Sequence, residues 1–501
     1  MTSASDGAQP VGFPARLKQL AASRPDNLAL TLVYQDGRRE SLTFAELQHW
    51  ANTTAQLLRE QGVDADATVI VAVGNSLEHF AATWGAWLLG ALVLPLNVRA
   101  TSRERDGLIE LSSARVVVSD WVDVAGPSRK EIRQARSRSV VDLPGIIPSP
   151  GKAVCSGGST GRPKIIIDPA PLARVPGESL GIFGRWIRFY DATVQAVPGP
   201  VFHNMPFTWS AYGLFEGQHL IVMERFEAGA LVDLIEQERV EFMTVVPTMM
   251  RRVAELADVR SRDFSSLMSV LHSAAPCPEP LKRAWIDLVG PEVLWEGFGA
   301  TENVGVCLIR GDEWLAHPGS VGRPVGALMK LLDENGEEVS TGEVGEVFMR
   351  PDAPGETFRY VGGTPAKTMP DGFVSVGDLG SVDADGYLFP ADRRVDLIIS
   401  GGANVYPAEV EAVLLEHADV ADAVVIGLPD PDWGKRVHAV VAPYPGQAAP
   451  TEHDLAAWCR QALAPYKVPK AFEVLPELPR DEAGKIRRRA LVDERSMGGP
   501  S

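Results

Sequence analysis

The segment from Cys155 to Ile167 reads CSGGSTGRPKIII, with three glycines (Gly157, Gly158, Gly161) among three hydroxyl side chains (Ser156, Ser159, Thr160) and Lys164 following. Small residues let backbone N–H groups approach an anion, hydroxyls add donors and the lysine adds charge, a combination suited to a polyphosphate. It is not the GxxxxGK[ST] loop, because Ile165 follows the lysine. The β-branched run Ile165 to Ile167 predicts a strand, so the glycines are expected in a hairpin-like loop. In GFGATEN, Thr301 and Glu302 offer a hydroxyl and a carboxylate, a hard-oxygen pair suited to Mg2+ beside phosphate, although an isolated glutamate is more often a solvated charge. Phe298 in the same segment can stack on a flat base or fill a core. Lys485, in AGKIRRR, reads locally as part of a basic solvated tail, or as a mobile ammonium able to meet charge developing at a phosphate.

Positioning these residues takes more than one core. The chain has 501 residues, about three times a typical domain length, and with 45% hydrophobic and 23% charged residues its composition is that of a globular protein. From about Ser41 to Ser119, helical patterns such as FAELQHWANTTAQLLREQG alternate with short apolar strands such as TVIVAVG and ALVLPL, as in a parallel sheet with crossover helices. A second stretch of this kind runs from Gly217 to Gly299, and Gly319 to Pro390 reads as a small β module punctuated by Gly and Asp turns. After Asp392, the helices PAEVEAVLLEH and LAAWCRQAL and the strands VADAVVIGLP and RVHAVVAPY predict a compact α+β unit. The expected fold class is therefore α/β: a large N-terminal domain over 10–392, made of two α/β lobes plus the small β module, followed by a small α+β C-terminal domain over 393–496.

Lys plus Arg number 48 against 65 for Asp plus Glu, and the net charge of −17 disfavours nucleic acid and anionic lipid as partners. Cys155, Cys277, Cys307 and Cys459 show no paired spacing, which argues against a disulfide framework and a zinc site. The amino terminus lacks the basic start and apolar stretch of a signal peptide. The longest apolar run, Phe80 to Leu96, contains Gly85, Gly90 and Pro95, so a buried helix leading into a strand is expected rather than a membrane span. A cytoplasmic location is the expectation.

The glycine hairpin, GFGATEN (297–303), SVGDLG (375–380), DRRVDLIISGGANVYPAEVE (392–411) and RDEAGKIRRRAL (480–491) follow one another, and with the weaker elements LTFAEL near Leu42 and GALVLPLN near Gly90 they extend over nearly the whole chain. Together they resemble the motifs of the adenylate-forming superfamily of acyl-CoA synthetases, luciferases and nonribosomal-peptide adenylation domains. The resemblance implies that Ser156, Gly157, Gly158, Ser159, Thr160, Gly161 and Lys164 cradle the phosphates of ATP, and that Ala274 and Ala275 in HSAAPCP leave room for adenine. Phe298 and Gly299 would border the nucleotide, Asp378 would accept hydrogen bonds from the ribose, and Arg393 would contact ribose and phosphate at the domain boundary. Read locally, Asp378 is a turn residue. The implied catalytic residues are Lys485, Thr301, Glu302 and His203, with Glu302 also the Mg2+ ligand. His203 in VFHNMPF stands beside the family's acyl pocket, where Phe207, Trp209 and Trp295 either line that pocket or pack a core. Family members rotate the C-terminal domain between steps, so that Lys485 leaves and the loop of Gly401 and Gly402 enters; Val395 stands where the family usually has Asp or Lys at the hinge.

The implied activity is ATP-dependent conversion of a carboxylic acid to an acyl-adenylate and transfer to CoA, with an amide synthetase that transfers to an amine as the alternative. Lys435 and Arg436 in DWGKRVHAVVAPY are available for CoA phosphates. The run from AAPCP through WLAHPGSVGRPVG looks most like bile-acid and steroid-type CoA ligases, which points to a bulky cyclic or aromatic acid. Expected partners are that acid, ATP with Mg2+, and CoA or an amine; a homodimer is compatible with this reading. A protein that had kept the fold without the chemistry is expected to have lost one of Lys164, Glu302, Asp378, Arg393 or Lys485, and all five are present.

Overall fold

The computed structural model describes residues 9–143, 145–156, 164–353, 355–393, 396–400, 403–431, 433–481, 484–486 and 488–497. Gly157, Gly158, Ser159, Thr160, Gly161, Val395, Gly401 and Gly402 lie outside the described residues, as do the side chains of Ser156 and Arg393.

Among the described residues, a six-stranded sheet forms the first lobe. Its strands Thr68–Ala72, Leu92–Pro95, Val116–Ser119 and Lys152–Ser156 run parallel, and their continuous apolar sequences follow from burial on both faces. Helices Phe44–Glu60 and Leu77–Leu88 cover one face with Trp50, Trp84 and Trp87 fully buried around Phe13. Thr43 and Glu46 close the first of these helices with reciprocal hydrogen bonds, and Ser76 caps the second. The apolar run at Phe80 to Leu96 is, as expected, this second helix followed by the strand Leu92–Pro95.

The second lobe is a nine-stranded sheet whose central strands, including Val194–Val197, His219–Met223, Phe242–Val245, Ser269–His272 and Leu294–Gly299, are parallel. Two local expectations need correction here. The first α/β stretch was expected from about Ser41, but the strand Arg39–Thr43 pairs with Leu28–Val33 on the edge of the second sheet, where Leu30 meets Leu220. Within the β module, Arg323–Val325 belongs to the second sheet and Arg359–Val361 to the first. The other module strands, Ala327–Leu332, Gly345–Pro351, Val374–Val382 and Leu388–Arg393, form a four-stranded antiparallel sheet.

The C-terminal domain packs helices Pro407–Leu415 and Glu452–Ala462 on the strands Val420–Asp430, Gly434–Pro443 and Ala471–Val474. Ile398, Val410, Leu414, Val425, Val437 and Leu455 give it a core of its own. The fold is thus α/β, a large N-terminal domain with a small α+β domain after it. No helix among the described residues is long and apolar enough to cross a membrane, and all four cysteines are free thiols.

Candidate active site

The strands flanking the glycine-rich segment, Lys152–Ser156 and Lys164–Asp168, pair antiparallel with Ser156 opposite Lys164, which is the hairpin expected from the isoleucine run. Strand Arg359–Val361 adds to its outer edge with Tyr360 opposite Ile166, so Tyr360 is the diagonal same-face neighbour of Lys164. On the other sheet, strand Leu294–Gly299 ends in a turn closed by Asn303 N–H donating to Ala300 O at 3.0 Å, with Thr301 and Glu302 as its central residues. The two meet. Lys164 Nζ donates to Glu302 Oε1 at 2.9 Å, and the Tyr360 hydroxyl donates to the same oxygen at 2.5 Å. Lys164 Nζ also lies 3.1 Å from the Tyr360 hydroxyl and 4.1 Å from the centre of its ring. Burial by itself would raise the Glu302 carboxyl, but the hydrogen bonds from Tyr360 and Lys164 and the lysine charge outweigh it, and the net shift is downward. Glu302 is therefore an ionised, oriented oxygen donor beside the glycine-rich hairpin, and its chemistry fits Mg2+ held by one carboxylate plus nucleotide phosphates.

Asp378 was expected in a turn, and the structure places it inside the strand Val374–Val382. The turn-like sequence signal has a physical source: the pairing with Gly345–Pro351 steps from Leu379 opposite Glu346 to Ser375 opposite Phe348, a bulge that contains Gly377 at φ +82°. The bulge re-aims Asp378, which lies in register with Arg393 on the neighbouring strand. Ala274 follows strand Ser269–His272 with φ +78°, a left-handed backbone that costs a non-glycine residue about 1–2 kcal/mol. It stands, with Ala275 after it, at the carboxyl end of a parallel strand beside the one that leads to Glu302, the place where open α/β sheets bind ligands. Phe298 is half-buried and packs against the β-module core around Val304, Val347 and Met349, and Gly299 stands exposed one residue further along the strand.

His203 precedes helix Asn204–Glu216. Lys152 ties that helix to the hairpin strand, its Nζ 3.3 Å from Asn204 Oδ1 and 3.2 Å from Thr208 Oγ1. The His203 ring is pushed down to about 4 by burial, with Asp481 raising it and Lys485 lowering it further. Asp481 and Lys485 of the C-terminal segment thus lie within electrostatic reach of His203 in the large domain. The three aromatic residues considered for an acyl pocket fall in two different clusters. Phe207 packs in the first lobe, 5.9 Å from Trp87, whereas Trp209 and Trp295 share a cluster with Phe189 and Phe242. Lys435 and Arg436 lie at the start of strand Gly434–Pro443 in the C-terminal domain.

Tyr360 was missed from the sequence. Its segment, RYVGG, carries no phosphate-loop or acid–base signal, and only the long-range pairing with the hairpin strand reveals it.

Residues 17–151 and 154–355 match the AMP-binding enzyme family, and residues 409–485 match the AMP-binding enzyme C-terminal domain. The chain belongs to the AMP-binding enzyme family. This AMP-binding enzyme is 31% identical over 495 residues to the 2-succinylbenzoate–CoA ligase of Bacillus licheniformis, covering 95% of this chain and 99% of the relative. It is also 31% identical over 484 residues to the fatty acid–acyl-carrier-protein ligase ScoC of Streptomyces coeruleorubidus, covering 90% of this chain and 91% of the relative. The fold matches that of the o-succinylbenzoate coenzyme A synthetase of Bacillus subtilis, solved in complex with ATP and a magnesium ion, with a TM-score of 0.80 and 26% identity over 97% of this chain and 100% of that one.

Proposed function

We propose that this AMP-binding enzyme activates a bulky cyclic or aromatic carboxylic acid with ATP and Mg2+ and passes the acyl group to CoA. A carboxylate oxygen attacks the α-phosphorus of ATP, the bond to pyrophosphate breaks, and the resulting acyl-adenylate has AMP as a good leaving group. The CoA thiol then attacks the acyl carbon and AMP departs. The observation that carries this reading is the Lys164–Glu302 pair beside the glycine-rich hairpin. In it a phosphate-binding lysine and a metal-binding carboxylate from two different sheets share one site. The Mg2+ that accompanies ATP neutralises phosphate charge, and Glu302 is the residue that would hold it. Lys164 binds and orients phosphate oxygens, Asp378 and Arg393 orient the ribose, and Lys485 brings positive charge to the reacting carboxylate and α-phosphate. His203, with its ring kept neutral by burial, borders the acid. The division into a large domain over 10–392 and a moving domain over 393–496 belongs to the same proposal.

One comparison favours an aromatic acid. The Bacillus relative acts on an aromatic acid, and this chain spans nearly all of its length. The test is pyrophosphate release with ATP and a panel of benzoate, ferulate, 2-succinylbenzoate, octanoate and acetate, each with CoA, with an amine and with neither. An aromatic acid is expected to give the fastest release, and CoA to give a thioester. Absence of acid-dependent release with every acid would sink the proposal; adenylate consumed only by the amine would make the enzyme an amide synthetase.

A further inference from the structure

Lys485 is presented by a tightly built loop. Arg480 grips Asp422 on strand Val420–Asp430 with Nε at 2.6 Å and Nη2 at 2.7 Å, and its Nη1 donates to Gly484 O at 2.7 Å. Asp481 then clasps the lysine backbone: Lys485 N–H donates to Asp481 Oδ1 at 2.9 Å, and Asp481 N–H donates to Lys485 O at 2.9 Å. These hydrogen bonds tie Gly484 and Lys485 to the strand Val420–Asp430 of their own domain. Its other side rests on helix Pro247–Ala254, which begins directly after the central strand Phe242–Val245 of the large domain. Thr248 and Arg252, one turn apart on this helix, face the loop: Arg252 Nη2 is 3.6 Å from Glu477 Oε1, and Thr248 meets Gly484. The second contact leaves no slack. Gly484 has φ +75°, and a Cβ added there would stand 1.8 Å from Thr248 Oγ1.

We propose that Thr248 is a positioning residue, a steric seat on which Gly484 comes to rest and which sets how far Lys485 enters the site. The inference rests on the reading of Lys485 as the residue that stabilises charge during adenylate formation. Of the two contacts, the one at Gly484 is made by the short, branched side chain of Thr248 itself, so the depth of the ammonium follows from the size of residue 248. The hydroxyl is not required, because what stops Gly484 is the shape of the branched side chain.

The experiment compares Thr248→Val, which keeps the shape, with Thr248→Leu, which lengthens it. Pyrophosphate release is measured with the most active acid of the panel, and amide hydrogen exchange is followed over 477–486 in the ligand-free protein. Thr248→Leu is expected to lower kcat by roughly 100-fold, the effect of about 1 Å of misplacement, with KM for ATP within about 2-fold of the parent. Faster exchange at residues 484–486 should accompany that loss, and Thr248→Val should stay within about 2-fold of the parent in all three readouts. The proposal is overturned if Val is as damaging as Leu, if Leu leaves kcat unchanged, or if Leu raises KM as much as it lowers kcat. Should Thr248→Leu not fold, Gly484→Ala presses on the same contact from the other domain and must reproduce the loss. If the parent enzyme releases no pyrophosphate with any acid, the functional reading fails, and the exchange data on Thr248→Leu still decide whether the seat exists.

Discussion

Glu302 Oε1 accepts from both Lys164 and Tyr360, so its ionisation and direction depend on a residue outside every motif legible in the sequence. Tyr360→Phe removes one hydrogen bond to a charged acceptor, worth about 1.5–3 kcal/mol. The expected result is a KM for ATP with Mg2+ raised roughly 10- to 150-fold with the fold intact, checked by initial rates over a magnesium titration. Lys485→Ala should cost about 2.7–4 kcal/mol of transition-state stabilisation, a loss of 100- to 1,000-fold in ATP–pyrophosphate exchange without a change in melting temperature. Exchange at the parental rate would contradict the assignment. At this scale residue type and spacing singled out Lys164 and Glu302, which the fold brings within 2.9 Å of one another. The sequence was silent at Tyr360, whose role exists only because strand Arg359–Val361 crosses from the β module to the hairpin.

Among the elements, the bulge in Val374–Val382 does the work that a turn was expected to do. Gly377 sits in it with φ +82° and open space around its missing Cβ, so Gly377→Ala meets no neighbour and pays only backbone strain, about 1–2 kcal/mol. Relaxing that strain turns Asp378 away. The variant is expected to raise KM for ATP more than it lowers kcat, with a melting temperature reduced by only a few degrees; unchanged nucleotide affinity would show that the bulge does not aim Asp378. SVGDLG looked like a turn because glycine before aspartate breaks the alternation of a strand, and a bulge breaks it in the same way. Elements defined by local periodicity, such as Leu77–Leu88 and Pro407–Leu415, were legible. Sheet membership was not, since which edge a strand joins depends on partners far away in the chain.

In the molecule as a whole, burial holds His79 down to about 3 and His203 to about 4, against an ordinary value of 6.5. As pH falls below 6.5 the unfolded chain takes up these protons while the native one does not, so stability is lost between about pH 6.5 and pH 3 and is greatest above that window. The urea midpoint should therefore fall between neutral pH and about pH 5, and His79→Leu should flatten the fall; an equal slope in parent and variant would exclude His79 as a source. The two-lobed α/β plan with a following α+β domain was readable because each lobe repeats strand and helix patterns. The exchange of strands between lobes was not. Leu28–Val33 and Arg39–Thr43 complete the nine-stranded sheet only by pairing Leu30 with Leu220, roughly 190 residues later. On a ribosome adding about 5–20 residues each second, this first hairpin emerges roughly 10–40 s before its neighbour. Throughout that interval the nascent chain carries an open apolar edge with Leu30 and Leu32 on it, which makes the earliest-made part of this enzyme the part most dependent on chaperones during synthesis.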